Sequence, residues 1–354
     1  MSSKLVKNLK AVGYGLSALR AYGRGADFCA HPPTTLWIEP TNRCNLRCVM
    51  CPVSLRTREE TGFMGLETYR ALIDEVAPHV TTVNLFLGGE PLLHRDLFDM
   101  IAYARSQGIT VRLNTNATLL NRRRAEQLLD SGLEHLIFSF DGYDAETYET
   151  IRINAHFEPT LQNILDFLAL KKERGARHPY TVLQTIVVRQ GQQTGEQERA
   201  FRARFTGLPL DAFIVREALT WRGVFKDTDK FDPHEYGVRY VPCPYLWSTL
   251  SILWDGTVVP CCLDMWADYP LGRVGETPLL EIWNGEAMRA LRRKLAAGEY
   301  QDIPLCSGCD LLWADKTVGK FPYTLLKVAL SHPVENLLGY RLTNAFKRLV
   351  KGQL

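Results

Sequence analysis

The sequence lacks several features that would place it in common protein classes. It has no apolar run close to the eighteen or so residues that cross a membrane. Residues 1–24 carry lysine and arginine throughout and lack the long apolar core of a signal peptide. The formal net charge is only +3 and the basic residues are dispersed, so no nucleic-acid partner is expected. These absences predict a cytoplasmic protein.

Cysteine is scarce, with nine residues in 354, but three of the nine lie within RCNLRCVMC at residues 43–51. The odd total argues against complete disulfide pairing, and clustered cysteines in a reducing cytosol indicate metal ligands or catalysts. Three thiolates on one loop can hold three irons of a cubane cluster and leave the fourth iron open to a substrate or cofactor. A zinc site with a distant fourth ligand is the alternative. The three residues are Cys44, Cys48 and Cys51.

Short β-rich runs alternate with helical patterns between about residues 34 and 220. Strands rich in Val, Ile, Leu and Phe that alternate with helices predict a parallel sheet covered on both faces. We therefore expect an α/β fold with a partial TIM-like (β/α)6 barrel whose chemistry lies at the carboxyl ends of the strands. The predicted strands are 35–40, 81–89, 110–116, 135–142, 181–188 and 212–219, and the predicted helices are 66–78, 95–107, 121–131, 158–174 and 195–206.

The pattern changes after residue 220. The segment LSILWDGTVVPCC (250–262) predicts a β-hairpin with a type I′ turn at Asp255-Gly256. Residues 243–310 hold five of the nine cysteines. We interpret residues 221–315 as a small C-terminal domain organised by metal, which follows a barrel domain at residues 34–220.

The two ends of the chain, residues 1–33 and 316–354, have helical and basic patterns. In the first segment, apolar side chains form one predicted helical stripe with lysines opposite. Such stripes most often dock on a domain, so docking is expected, with attachment to a membrane surface as the alternative. The stripe consists of Leu5, Leu9, Val12, Leu16 and Leu19.

The segment IEPTNRCNLRCVMCP (38–52) resembles the three-cysteine motif of the radical SAM superfamily, and the resemblance extends over roughly residues 34–310. It departs mildly at Met50, where that family often has an aromatic residue. The resemblance implies a 4Fe–4S cluster on the three cysteines whose open iron binds the amino and carboxylate groups of S-adenosylmethionine (SAM). One electron, from a flavodoxin- or ferredoxin-type reductant, would cleave SAM to methionine and a 5′-deoxyadenosyl radical that abstracts hydrogen from the substrate.

Several other positions match the family's SAM-binding segments. The resemblance implies that the GGEP turn contacts the methionine amino group, that Asn116 and Ser139 line the cofactor cavity, and that Arg152 pairs with the SAM carboxylate. Taken alone, these residues also suit a simple turn, a loop asparagine and a surface arginine. Asp141 is either a turn or cap residue, and Glu39 either lines the pocket or braces the cluster loop. The GGEP residues are Gly88, Gly89, Glu90 and Pro91.

The second cysteine set resembles the SPASM motif of the same superfamily, with twelve residues between Cys243 and Gly256 and four between Gly256 and Cys261. No cysteine follows Cys309, so the set is closest to the shorter twitch domain, as in 2-deoxy-scyllo-inosamine dehydrogenase. The resemblance implies a second, closed 4Fe–4S cluster that handles electrons, and a structural zinc site is the alternative. Its ligands would be Cys243, Cys261, Cys306 and Cys309.

Cys262 is expected to point away from this cluster. If residues 257–262 continue a strand, successive side chains point to opposite faces, and the family spacing selects Cys261 as the ligand. Cys262 would then be a buried apolar residue or, like Cys29, a candidate hydrogen donor.

The resemblance implies an enzyme that activates a C–H bond, and the sequence does not identify its general base. About thirty residues precede the first strand, too few for a peptide-recognition domain, which favours a small-molecule substrate such as a sugar or aminocyclitol. We expect an oxidation with the auxiliary cluster as electron acceptor. The alternatives are a peptide-modifying maturase, a redox-neutral epimerase and, outside enzymes, an iron–sulfur electron carrier or a zinc protein.

Overall fold

A computed structural model of the protein describes residues 3–55, 59–188, 194–225, 239–314, 317–318, 321–322 and 332–338. The strands of these residues are β1 (Thr35–Ile38), β2 (Thr82–Asn84), β3 (Thr110–Thr115), β4 (His135–Ser139), β5 (Tyr180–Val187), β6 (Ala212–Glu217), β7 (Arg239–Tyr240), β8 (Thr249–Ile252), β9 (Thr257–Val259), β10 (Gly272–Arg273), β11 (Trp313–Ala314), β12 (Thr317–Val318) and β13 (Phe321–Pro322). Nine of them form one sheet in the order β10-β9-β8-β1-β2-β3-β4-β5-β6.

The helices are α1 (Ser3–Gly23), α2 (Pro52–Leu55), α3 (Leu66–Val76), α4 (Leu97–Ser106), α5 (Arg122–Asp130), α6 (Ala145–Ile151), α7 (Phe157–Glu173), α8 (Gly195–Ala203), α9 (Leu279–Trp283), α10 (Glu286–Ala297) and α11 (His332–Leu338). Strands β1 to β6 pair in parallel in sequence order, and each connection between them contains at least one helix. The predicted α/β fold with six barrel strands is therefore confirmed.

The two faces of the parallel strands differ in polarity. On one face, side chains such as Leu36, Leu113 and Phe138 are fully buried in the hydrophobic core. The alternate side chains of the same strands lie on the opposite face, many of them half-buried and hydrophilic. This second face, called the polar face below, carries Trp37, Asn84, Arg112, Asn114, Ile137, Ser139, Gln184, Ile186 and Arg216.

The predicted hairpin is present, but its turn differs from the prediction. Strands β8 and β9 pair antiparallel, and the Leu253 N–H donates to the Thr257 carbonyl oxygen at 2.9 Å, which leaves a three-residue loop. Only Gly256 in this loop has a positive φ, of 87°. A type I′ turn needs positive φ at both central residues, so the type I′ prediction was wrong, and Gly256 supplies the left-handed residue of a longer loop.

The hairpin also extends the barrel sheet. β8 pairs in parallel with β1, with Trp37 opposite Ser251. The cysteine-rich segment that follows the hairpin therefore starts from the edge of the barrel next to the strand that leads into the first cysteine loop. This adjacency places the two cysteine sets on one continuous framework.

Helix α1 packs against α11 and the barrel, as expected, but only partly through its predicted stripe. The Lys7 ammonium donates to the Gln107 carbonyl oxygen at 3.0 Å and the Tyr22 hydroxyl to the Pro242 carbonyl oxygen at 3.0 Å. Leu9 and Leu16 are 47% and 56% exposed, so the prediction was wrong at these two positions, whereas Leu19 packs against the core. Small residues allow a closer approach, and the buried positions are Asn8, Ala11, Gly15, Ala18 and Tyr22.

No helix among the described residues is long and apolar enough to cross a membrane. Most of the predicted C-terminal helical tail at residues 316–354 lies outside the described residues; within it, α11 contacts the barrel, since the Asn336 amide donates to the Thr82 hydroxyl at 3.0 Å.

Candidate iron–sulfur and cofactor sites

The first cysteine loop follows β1 and leads into α2. Cys48 is buried, whereas Cys44 and Cys51 are half-buried. Burial raises the pKa of Cys44 to about 11 and the pKa of Cys48 to about 12, so these thiols are protonated at neutral pH without a metal. Metal binding would have to displace these protons, and soft thiolates suit iron–sulfur clusters. The loop therefore offers the donor set of a three-thiolate cluster site.

The backbone of this loop is held by its neighbours. The Arg47 N–H donates to the Ile153 carbonyl oxygen at 3.0 Å, and the Val49 N–H donates to that of Ile151 at 2.9 Å. On the other side, the Thr41 hydroxyl donates to the Gly62 carbonyl oxygen at 2.5 Å. Backbone and side-chain hydrogen bonds on both sides therefore hold the loop in place.

The GGEP turn packs directly on the cysteine loop. A Cβ on Gly89 would lie 2.3 Å from the Thr41 carbonyl oxygen and 2.5 Å from that of Arg43. The Glu90 N–H donates to the same Arg43 carbonyl oxygen at 2.8 Å. Only glycine allows this approach, so the sequence-predicted turn and the cysteine loop form one unit.

Glu90 is buried, and its carboxylate accepts three hydrogen bonds. Its Oε1 accepts from the Leu92 N–H at 3.0 Å and the Thr115 hydroxyl at 2.7 Å, and its Oε2 accepts from the Asn116 N–H at 2.8 Å. Burial raises the pKa of Glu90, and these three hydrogen bonds lower it by less. A carboxylate has about four acceptor positions, so one position on Oε2 remains for a further donor such as an ammonium group.

Glu39 braces the GGEP turn against the hairpin. Its side chain is fully buried, and its two oxygens accept from the Gly88 N–H at 3.1 Å and the Trp254 N–H at 3.2 Å. The sequence left open a pocket role and bracing of the cysteine loop, and the contacts shown here are instead with the GGEP turn and the hairpin. The partner Trp254 lies 215 residues away in the chain, so local sequence patterns contain no signal for it.

Asn116 and Ser139 lie near the same end of the barrel. The Asn116 amide donates to Asn45 Oδ1 at 3.0 Å and lies 3.9 Å from Cys44 Sγ, so it joins the cysteine loop to Glu90. The Ser139 hydroxyl donates to Asn114 Oδ1 at 2.7 Å on the polar face. Asn116 therefore contacts the cysteine loop, whereas Ser139 is shown only on the polar face beside Asn114.

Arg152 is not a surface arginine. Its guanidinium lies 2.7 Å from Asp141 Oδ2, with side-chain exposures of 6% and 0%. Asp141 Oδ1 also accepts from the Ile186 N–H at 2.6 Å, and the α6 cap residue is Asp144, not Asp141. The positive charge of Arg152 lowers the pKa of Cys48 against the larger effect of burial. The sequence identified Arg152 but not its buried partner.

The second cysteine set lies in the interior of the protein. Cys243, Cys261, Cys306 and Cys309 are each buried. Besides burial, the negative charges of Cys309 and Cys306 raise the pKa of Cys243, and those of Cys243 and Cys309 raise the pKa of Cys261. The chemistry of the four thiols fits a closed four-thiolate cluster.

Within the part of the chain that the structure describes, no three Cys, His, Asp or Glu side chains converge closely enough to hold one metal ion.

The prediction that Cys261 and Cys262 point to opposite faces assumed that residues 257–262 continue a strand, and this assumption was wrong. β9 ends at Val259 and Pro260 follows, so the strand does not reach residues 261 and 262. Burial is the main cause that raises the pKa of Cys261 and of Cys243, and the charge of Cys262 raises both further. The choice of Cys261 as ligand now rests on the family spacing alone. Cys29 lies elsewhere, with its N–H donating to Asn284 at 2.9 Å.

Comparisons with known proteins agree with these two sites. The family model of the radical SAM superfamily matches residues 38–200, and that of the SPASM iron–sulfur cluster-binding domain matches residues 243–310. The chain is 33% identical over 311 residues to PqqA peptide cyclase of Xanthomonas oryzae pv. oryzae, which covers 79% of this chain and 81% of the relative. It is 27% identical over 337 residues to Fe-coproporphyrin III synthase of Methanosarcina barkeri, which covers 82% of this chain and 83% of the relative.

Among solved structures, BtrN in complex with AdoMet and 2-DOIA aligns with a TM-score of 0.52 and 18% identity, over 79% of this chain and 93% of BtrN. At that identity the likeness shows a shared fold. The radical SAM domain takes SAM and a SAM-binding 4Fe–4S cluster, and the SPASM domain binds auxiliary iron–sulfur. The chain therefore belongs to the radical SAM superfamily, as an enzyme with a C-terminal SPASM iron–sulfur cluster-binding domain.

Proposed function

We propose that this enzyme oxidises a small hydroxylated or amino-substituted molecule bound on the polar face, with the auxiliary cluster as the electron acceptor. When bound, SAM and the first cluster supply the hydrogen-abstracting radical, and the second cluster supplies a one-electron acceptor. The protein's part is to bind the substrate, exclude water and hold the two cofactor sites at a fixed separation. The residues proposed to bind SAM are Gly88, Gly89, Glu90, Pro91, Asn116, Ser139 and Arg152.

The polar face supports a hydrophilic substrate. Ser139 and Gln184 are register neighbours, and both side chains are half-buried, as is that of Asn114. Arg216 lies one step further towards the carboxyl end of β6 and is exposed. Amide, hydroxyl and guanidinium groups on one surface can orient hydroxyl, amino or anionic substituents through hydrogen bonds.

The observation that carries the oxidative role is the position of Tyr245. Its ring meets Trp37 of the polar face edge-on, with ring centroids 5.6 Å apart. Its N–H donates a hydrogen bond that lowers the pKa of Cys243, whereas burial, followed by the charges of Cys262, Cys243 and Cys261, raises the pKa of Tyr245 itself. We take Tyr245, which contacts Trp37 through its ring and Cys243 through its backbone N–H, as the path by which an electron leaving the substrate would reach the second cysteine set.

A peptide substrate is the second candidate, favoured by the 33% identity to PqqA peptide cyclase. Among the described residues, Val215, Arg216 and Glu217 of strand β6 are exposed, and Arg216 is the one on the polar face. An extended chain could approach this edge. An enzyme that oxidises small molecules should act on a free small molecule, whereas a peptide-modifying enzyme should act only on peptides.

The test uses the full chain with both clusters reconstituted anaerobically. We expect a deuterated aminocyclitol, sugar or carboxylated small molecule from a substrate panel to transfer one deuterium to 5′-deoxyadenosine and to yield a product with two hydrogens fewer. A product that keeps its oxidation state would contradict the oxidation, and turnover restricted to peptides would contradict the small-molecule proposal.

A matched pair of variants isolates the path through Tyr245. Tyr245→Phe keeps the ring against Trp37, whereas Tyr245→Leu removes it. We expect Tyr245→Leu, but not Tyr245→Phe, to lower the yield of oxidised product per 5′-deoxyadenosine. A yield in Tyr245→Leu equal to that of the parent would show that the Tyr245 ring has no part in electron transfer.

A further inference from the structure

A buried arginine lies behind the second cysteine set and has no part in the function proposed above. The segment from Thr220 to Phe225 folds onto the CSGC segment at residues 306–309, where a Cβ on Gly308 would lie 2.7 Å from the Arg222 carbonyl oxygen. Asp310 fixes this arrangement, because its carboxylate accepts from the Thr220 N–H at 2.6 Å and from the Thr220 hydroxyl at 2.5 Å. Arg222 is thereby held at the cysteine site.

The Arg222 side chain is only 5% exposed and contacts an acidic and an aromatic side chain. Its guanidinium lies 2.7 Å from Asp268 Oδ2 and 4.8 Å from the centre of the Trp266 ring. Its Nε–H is buried and has no hydrogen-bond partner among the described residues. A buried N–H donor without a partner is costly, and a cluster sulfur or thiolate beside it would be a suitable acceptor.

Two carboxylates also face this region. Asp264 is fully buried and accepts from the Asp268 N–H at 2.8 Å and the Tyr269 N–H at 2.9 Å. Asp268 is the partner of Arg222, and its side chain is 24% exposed. Of these three charges, only that of Arg222 is opposite in sign to the thiolates of the second cysteine set.

We infer that Arg222 is a positioning residue that raises the reduction potential of the auxiliary cluster, and that Asp268 partly offsets it. Reduction adds one negative charge to a cluster already surrounded by thiolates. A desolvated cation beside it stabilises the reduced form more than the oxidised form, because charges interact more strongly away from water. A higher potential makes the cluster a better acceptor. The purpose of this tuning rests on the proposed function, but the potential itself does not.

The experiment measures the auxiliary cluster without a substrate. Redox titration followed by electron paramagnetic resonance is carried out on the full chain with Cys44→Ala, Cys48→Ala and Cys51→Ala, so that the second cluster is the only iron centre. The same titration of the holoenzyme, in which added SAM changes only the signal of the first cluster, gives an independent value. Iron content of about four per chain in the triple variant confirms an intact cluster.

We expect Arg222→Gln to shift the ratio of oxidised to reduced auxiliary cluster at least tenfold towards the oxidised form at a fixed applied potential, which corresponds to a midpoint about 59 mV lower. Arg222→Lys, which keeps the charge, should have a ratio of oxidised to reduced cluster close to that of the parent. Asp268→Asn should shift the ratio in the opposite direction. Arg273→Gln, an exposed arginine, is the control and should shift the ratio less than twofold.

An Arg222→Gln protein that keeps its iron with a ratio within twofold of the parent would overturn the inference. If Arg222→Gln loses iron, Asp268→Asn decides alone, and no shift towards the reduced form would overturn it. A shifted potential together with no oxidised product would instead leave Arg222 in its tuning role and contradict the proposed function.

Discussion

Gly89→Ala tests whether the GGEP turn and the first cysteine loop form one rigid unit. The added methyl carbon would lie 2.3 Å from the Thr41 carbonyl oxygen and 2.5 Å from the Arg43 carbonyl oxygen, whereas real Cβ contacts stay beyond 3.0 Å. Both oxygens belong to the backbone and cannot rotate away, so the turn and the loop must separate by roughly 1 Å. Overpacking of this kind costs about 1–3 kcal/mol.

The functional effect should exceed the effect on stability. A displacement of about 1 Å in a reacting group can cost on the order of 100-fold in rate. We therefore expect Gly89→Ala to slow SAM cleavage about 100-fold, measured as 5′-deoxyadenosine released by the reduced protein. Because the contact involves only the first loop, the auxiliary cluster should keep its irons.

Gly13→Ala is the matched control. Gly13 lies within α1, and a Cβ at this position has no atom within 4 Å. The control should leave cleavage unchanged and increase the free energy of unfolding by about 0.5–1 kcal/mol. If Gly89→Ala retained the parent's iron content and cleavage rate, the close packing of the turn on the loop would be refuted.

Three further substitutions test other contacts of the two sites. Asp141→Asn leaves Arg152 as an unpaired buried charge and should lower the free energy of unfolding by about 3–5 kcal/mol. Its control, Glu158→Gln, removes an exposed ion pair and should lower the free energy of unfolding by less than about 1 kcal/mol. Equal urea midpoints for the two variants would contradict this expectation. Arg152→Lys keeps the charge but loses the planar guanidinium group, so it should raise the SAM concentration needed for half-maximal cleavage and leave the cluster spectrum unchanged. An unchanged SAM dependence would show that Arg152 does not bind the cofactor. Cys261→Ala should lose about four irons, the content of one cubane, and Cys262→Ala should keep them; the reverse result would mean that the spacing is misassigned by one residue.

The barrel could be predicted from the sequence because its signals are local. Each strand, such as β3 or β5, is a short β-rich run bounded by turn residues, and the observed bounds differ from the predicted ones by a few residues at most ends. β2 is the exception, since the predicted strand at 81–89 ends at Asn84. Beyond it the backbone turns to place Gly88 and Gly89 against the cysteine loop, which a strand pattern cannot reveal.

The contacts that organise the site could not be predicted, because they join distant residues. Glu39 reaches Trp254, and Asp141 reaches both Arg152 and Ile186, through positions whose local patterns suit ordinary turns and caps. The pairing of β8 with β1 is likewise set by tertiary packing. In α1, the leucines are the most apolar residues, but close packing selected the smaller stripe that includes Ala11 and Ala18.

The central claim is that two separate iron–sulfur sites serve different roles and that the first one cleaves SAM. The most direct test is a variant that combines Cys44→Ala, Cys48→Ala and Cys51→Ala. Anaerobic reconstitution followed by iron, zinc and 5′-deoxyadenosine analysis of one sample gives the answer. The account predicts about eight irons in the parent and about four in the variant, the contents of two cubanes and one, with no 5′-deoxyadenosine from the variant. Stoichiometric zinc in the parent, or SAM cleavage that survives in the variant, would contradict it.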